Sequence, residues 1–101
     1  MIFGEKIMYV TKTKYGMKKN VIRWNASIHG QGVIIILYHN PISGKRRIII
    51  DGNQVLNKKK FIDNGDKYKF RLWDSHNLEI KIKPNLLNFS YRCIIDNIKI
   101  T

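Results

Sequence analysis

Apolar side chains fall at every second position in one segment of the chain after another, the spacing of β-strands that bury a single face; helical spacing is scarce. Trp24, Ala26 and Ile28 alternate with Asn25 and Ser27, and His29-Gly30-Gln31-Gly32 then supplies the glycines of a tight reversal. Val33 to His39 is a continuous apolar and β-branched run, which predicts a strand buried on both faces, and Asn40-Pro41-Ile42-Ser43-Gly44 breaks it. Lys45 to Ile50 resumes the strand pattern as far as Asp51-Gly52, a dipeptide suited to the positive φ of a hairpin turn.

Val55 to Phe61 predicts a short strand interrupted by Lys58-Lys59-Lys60, and Asp63-Asn64-Gly65-Asp66 turns the chain again. Tyr68, Phe70 and Leu72 alternate with Lys67, Lys69 and Arg71, so one face of that strand is apolar and the other cationic. Leu78, Ile80 and Ile82 oppose Glu79, Lys81 and Lys83 in the same manner, and Pro84-Asn85 closes the strand. Phe89, Tyr91, Cys93 and Ile95 line the inner face of the next, and Asp96-Asn97 leads to Ile98-Lys99-Ile100. Short strands separated by turns at such regular intervals predict an all-β fold, an antiparallel β-sandwich of about seven to eight strands. Residues 1–20 differ: Lys6, Lys12, Lys14, Lys18 and Lys19 sit among few core formers. This stretch reads as a basic extension, with Ile7-Met8-Tyr9-Val10 able to pair as an edge strand, ahead of a sandwich domain over residues 21–101.

At 101 residues and 44% hydrophobic composition, one core uses most of the chain, so a single domain is expected. Lys and Arg number 19 against 7 for Asp and Glu, giving 19 − 7 = +12, which disfavours cationic ligands and leaves polyanions and acidic proteins as partners. Cys93 is the single cysteine, so neither an internal disulfide nor a cysteine-rich zinc site is available, and a reducing compartment fits. The run Val33 to Tyr38 is far short of the roughly 20 residues that cross a bilayer, and Met1 to Lys6 lacks a signal peptide's apolar stretch. A soluble, cytoplasmic protein with no membrane partner is expected.

The chemistry-bearing residues are sparse. Ser43-Gly44-Lys45-Arg46 places a glycine beside a lysine, as phosphate loops do. However, His39 stands where the first glycine of that motif is needed, Arg46 replaces its Ser or Thr, and a strand follows instead of a helix. A structural turn is the better reading, with Lys45, Arg46 and Arg47 as a basic contact surface beside it. His29, His39 and His76 fall in separate turns or strand ends without metal-ligand spacing and read as surface or capping histidines. Cys93 lies on an apolar strand face, where a thiol is inert core, and no pair of carboxylates has the spacing of an acid and base. Neither an enzyme nor a cofactor is expected. Lys67, Lys69, Arg71, Lys81 and Lys83 compose a cationic stripe that could track a phosphate backbone, but Tyr68 and Phe70 alternate with it and point to the opposite face.

The segment His39-Asn40-Pro41-Ile42-Ser43-Gly44-Lys45-Arg46, followed by Ile48 to Ile50 and Asp51-Gly52, resembles the first domain of the Fas apoptotic inhibitory molecule family. That family shows a Trp, a turn, an alternating strand ending in His, then Ser-Gly-Lys-Arg, four β-formers and Asp-Gly. Trp24, His39, Ser43 to Arg46 and Asp51-Gly52 hold those places, and the likeness continues through Phe61 and the alternation from Phe89 to Ile98. The resemblance implies a β-sandwich with no recognised catalytic site, acting by protein contact to restrain death-receptor signalling or protect against protein aggregation. The expected partner is another protein, acidic in character, met through the basic face or an exposed strand edge, with self-association through that edge as a lesser expectation. Weak, largely non-specific nucleic-acid binding is the competing one.

Overall fold

The computed structural model describes residues 1–12 and 18–101, and the period-two alternation becomes nine strands there, one or two more than the pattern predicts. Sheet A runs in the order β1 (Ile2–Lys12), β2 (Lys18–Ile28), β3 (Gln31–His39), β4 (Lys45–Ile50) and β5 (Asn53–Lys59). Sheet B runs β6 (Asp66–Leu72), β7 (His76–Pro84), β8 (Phe89–Ile95) and β9 (Ile98–Lys99). Within each sheet every strand pairs antiparallel with its neighbour in sequence, and residues 60–65 carry the chain from β5 in the first sheet to β6 in the second. Among the described residues no helix is long and apolar enough to cross a membrane.

The two sheets pack through their apolar faces. Ile22, Trp24, Ala26 and Ile28 of β2, Val33, Ile35 and Leu37 of β3, and Ile48 of β4 meet Leu78, Ile80, Ile82, Tyr91, Cys93 and Ile95 of sheet B in one core. The expectation that β3 is buried on both faces is corrected: Val33, Ile35, Leu37 and His39 are buried, whereas Ile34 is exposed and Ile36 and Tyr38 are half-buried. Sheet A is covered on one side only, so β3 shows the ordinary alternation despite its unbroken apolar sequence. Between β4 and β5 the register slips after Ile48, leaving Val55 as an extra residue in a bulge.

Residues 2–12, read from the sequence as part of a basic extension, form a strand as long as β2 and paired with it from Ile2↔Ile28 to Lys12↔Lys18. Lys14 lies outside the described residues. At about 3.3 Å per residue these 11-residue strands account for most of the 41 Å long axis. Gly4 lets β1 lie against the buried Ile100, where a β-carbon would collide, and Lys6 Nζ donates to the Tyr91 carbonyl at 2.7 Å.

The two ends of the sandwich differ. At one end the chain reverses through His29-Gly30, Asp51-Gly52, Trp73-Asp74 and Asp96-Asn97, all in the left-handed region. Trp73-Asp74 is a reversal of this kind without a glycine. At the other end the connections are longer: residues 40–44, 60–65 and 85–88. They are tied together. Lys60 N–H donates to the Gly44 carbonyl, and Pro41, Asp63 and residues 84–88 border one groove.

Candidate functional site

The His39 to Arg46 segment is built around the turn that joins β3 to β4. Asn40 Oδ1 accepts from the Ile42 and Ser43 backbone N–H groups at 2.9 and 3.1 Å, and Ser43 Oγ accepts from Lys45 N–H at 3.2 Å. Gly44, at φ 75°, closes the turn, and a side chain there would run into the Lys60 backbone. The turn sets His39 and Arg46 opposite each other in register, both facing the interior.

Buried polar groups must find partners, and here they find one another. His39 is fully buried. Its Nε2 lies 2.7 Å from Asp63 Oδ2 and its Nδ1 2.6 Å from Tyr91 Oη. Arg46 is also fully buried; its guanidinium pairs with the same Asp63 oxygen at 2.5 Å and donates to Tyr68 Oη at 3.3 Å. Asp63 Oδ1 accepts the Gly65 backbone N–H at 3.1 Å, and Asn20 Nδ2 donates to Tyr91 Oη at 2.7 Å. Phe89 packs edge-on against the His39 ring, with centroids 4.7 Å apart.

Burial lowers the pKa of His39 against the opposing pull of Asp63, so the ring is neutral near pH 7. Burial would raise Asp63, but hydrogen bonds from Arg46 and His39 and the Gly65 amide outweigh it and hold the carboxyl below its usual value. The proton order follows: an ionised Asp63 only accepts, so His39 Nε2–H donates to it, leaving Nδ1 to accept from the Tyr91 hydroxyl. Arg46 and His39 Nε2 are both donors and make no bond with each other. The Tyr–His–Asp row superficially suggests proton relay, yet burial pushes Tyr91 up to about 12 and every proton in the row is already engaged. Its evident role is to neutralise Arg46 and tie β3, β4, β8 and the β5–β6 connection together.

The structure redistributes the residues singled out by the sequence. Trp24 is core, its indole N–H buried without a partner among the described residues. Asp51 Oδ1 accepts the Ile34 N–H at 2.9 Å and Gly52 takes φ 82°, so both serve the β4–β5 turn. Cys93 is buried in the core, which pushes its thiol up to about 12. His29 Nδ1 meets the amino terminus at 2.9 Å and His76 Nδ1 meets Asp96 at 2.6 Å, in keeping with surface and capping roles. His39 is the exception, a core histidine.

The basic surface needs two corrections. Arg46 is not part of it, because its position in β4 shares the inward parity of Ile48. The remaining residues do not form one face either. Lys45 and Arg47 lie on the outside of sheet A, whereas Lys67, Lys69, Arg71, Lys81 and Lys83 come together on the outside of sheet B. Within that stripe Lys81 pairs with Glu79 at 3.4 Å, and Arg71 is held by Asn77 and the Asp74 carbonyl. Tyr68 and Phe70 do point away from the stripe, as the alternation predicts.

Sequence reasoning missed Asp63, Tyr68 and Asn20 as partners of the motif, since they come from other strands and loops. Inward parity shared by His39, Tyr91 and Arg46 was the available signal.

Stability should show a plateau between about pH 6.5 and pH 9 and decline on either side. His39 and Asp63 titrate lower in the fold than their ordinary 6.5 and 3.8, so their contributions are full above those values and fade as pH falls. Tyr91 and Cys93 titrate higher than their ordinary 10.0 and 9.0, so theirs fade as pH climbs toward about 12. Urea unfolding followed by tryptophan fluorescence across pH reads this directly. An acid limb with no inflection near His39's ordinary value would remove the histidine from the account.

The family model described as Fas apoptotic inhibitory molecule matches residues 20–101, from the first core strand to the last residue. No curated protein and no solved structure matches the chain.

Proposed function

The chain belongs to the Fas apoptotic inhibitory molecule family, and from that premise we propose that it is a non-enzymatic protein-contact module whose recognition element is the free edge of β1. The supporting observation is the composition of that edge. β1 has 11 residues, pairs among the described residues with β2 alone, and carries Phe3, Ile7, Met8, Tyr9 and Val10 exposed along it. A long apolar edge with unpaired backbone groups is a template on which an extended segment of another chain adds as a strand. The opposite edge, β5, is blunted by Lys58 and Lys59.

β1 precedes the residues matched by the family model. Capture of exposed strands is the contact by which such a module shields aggregating proteins or restrains a signalling partner, and the +12 charge favours acidic ones. The absence of catalysis is part of the proposal: the relay-like row is buried and saturated, and the thiol of Cys93 is enclosed.

The test is suppression of aggregation. The chain at equimolar ratio should slow light scattering by a destabilised client protein, and Ile7→Lys/Tyr9→Lys should lose most of that protection while keeping the wild-type unfolding midpoint. Undiminished protection by the variant would exclude the β1 edge. Weak nucleic-acid binding is the competing outcome, recognised by protection that vanishes as salt rises and by salt-sensitive binding of a labelled oligonucleotide.

A further inference from the structure

We propose that the end of the sandwich bearing the long connections is a docking surface for an anionic phospholipid bilayer. It is distinct from the β1 edge and independent of the reading given for it. Ile42 is 74% exposed, Phe61 95%, Ile62 83%, Leu86 97% and Leu87 93%. These side chains come from the β3–β4, β5–β6 and β7–β8 connections, which meet around one groove of about 570 Å³. The turns of the opposite end are short and rich in Gly, Asp and Asn, and among the described residues none of them carries a comparably exposed apolar side chain.

Nearly complete exposure on loop tips decides against a preformed protein pocket, whose apolar residues are seated in a concave, partly packed surface. Projecting tips suit insertion into the headgroup and acyl boundary of a membrane, where apolar area is buried without a matching partner shape. The surrounding charge has the complementary sign. Lys45, Lys58, Lys59 and Lys83 flank the tips, with Lys59 Nζ 5.6 Å from the centre of the Phe61 ring. The nearby acids Asp63 and Asp66 are committed to Arg46 and Lys60.

Beside the same end, on the outer face of sheet A, lies a cleft of about 180 Å³ lined by Lys19, Tyr38, Asn40, Lys45 and Arg47. Lys19 Nζ and Arg47 Cζ stand 5.3 and 5.1 Å from the Tyr38 ring centroid. None of these three cations has a carboxylate partner among the described residues. Like charges crowded without a counterion favour an anion between them, and a lipid phosphate is of a size to enter. Apolar tips and an anion-sized cationic cleft on one end together describe peripheral membrane contact, which needs no spanning segment.

Vesicle flotation at physiological salt tests the proposal. The chain should float with phosphatidylcholine–phosphatidylserine vesicles and remain at the bottom with phosphatidylcholine alone. Leu86→Ser/Leu87→Ser should weaken flotation by about tenfold or more. Lys19→Gln/Lys45→Gln/Arg47→Gln should weaken it by about a hundredfold. The substitutions lie at surface positions, and unchanged unfolding midpoints establish that folding is intact. Added inorganic phosphate, at matched ionic strength, should leave much of the wild-type flotation in place. No flotation with either vesicle overturns the proposal and leaves the tips to a protein partner. Equal flotation of the leucine variant, or complete displacement by phosphate, overturns it in favour of simple charge or ion binding.

Discussion

Replacing Asp63 by alanine is expected to destabilise the fold by about 3–5 kcal/mol, the loss that follows when one partner of a buried ion pair is removed and the other charge stays behind. Arg46 is fully buried, with a guanidinium served by Asp63 and, at longer range, by the Tyr68 hydroxyl. Its Nε already has no partner among the described residues. Without the carboxylate, His39 Nε2–H loses its acceptor as well. For a domain of this size the midpoint of thermal unfolding should fall by well over 10 °C, at about 4–8 °C per kcal/mol. The informative companion is Arg46→Met/Asp63→Leu, which removes both charges together. It should recover most of the loss, because a well-packed apolar pair avoids the desolvation penalty. Equal stability of Asp63→Ala and wild type by urea unfolding would show that Arg46 is hydrated in solution.

Trp24→Ala is expected to remove about 3–5 kcal/mol through the cavity it opens between the sheets. Trp24 is fully buried among Ile22, Ala26, Ile35 and the facing residues of sheet B. Trp24→Phe should lose much less than its change in volume suggests. The indole N–H has no acceptor among the described residues, and deleting an unsatisfied buried donor recovers part of its desolvation cost of about 1–3 kcal/mol. Calorimetry of the two variants distinguishes the effects: a phenylalanine variant as unstable as the alanine one would mean the indole N–H does have a partner.

The strands of sheet B were legible almost residue by residue, because alternation such as Tyr68-Lys69-Phe70-Arg71-Leu72 assigns a face to every side chain before any partner strand is known. The turns at Asp51-Gly52 and Asp96-Asn97 were legible for the same local reason, the tolerance of Gly, Asn and Asp for positive φ. The Ile-rich run of β3 misled, since an unbroken apolar sequence says nothing about how many of its faces a second layer will cover. Of β1 the sequence showed only the edge-strand segment Ile7 to Val10, because the lysines of residues 1–20 suggested a basic extension and the pairing with β2 from Ile2 onward is a contact between segments. Arg46 was placed on the surface by its charge. Its parity with Ile48 argued for the interior, but only Asp63, 17 positions further along, makes that placement tolerable.

By itself, then, the order of residues determined which side each strand turns inward, where the chain reverses, the excess of positive charge and the family pattern beginning at Trp24. Those are properties of neighbours along the backbone. What only the tertiary structure decided is which inward groups meet: the joining of His39, Arg46, Asp63 and Tyr91, the separation of the lysines onto two outer faces, and the gathering of apolar loop tips at one end. These depend on distances between segments far apart in the chain, set by how the two sheets pack, and no local periodicity encodes them.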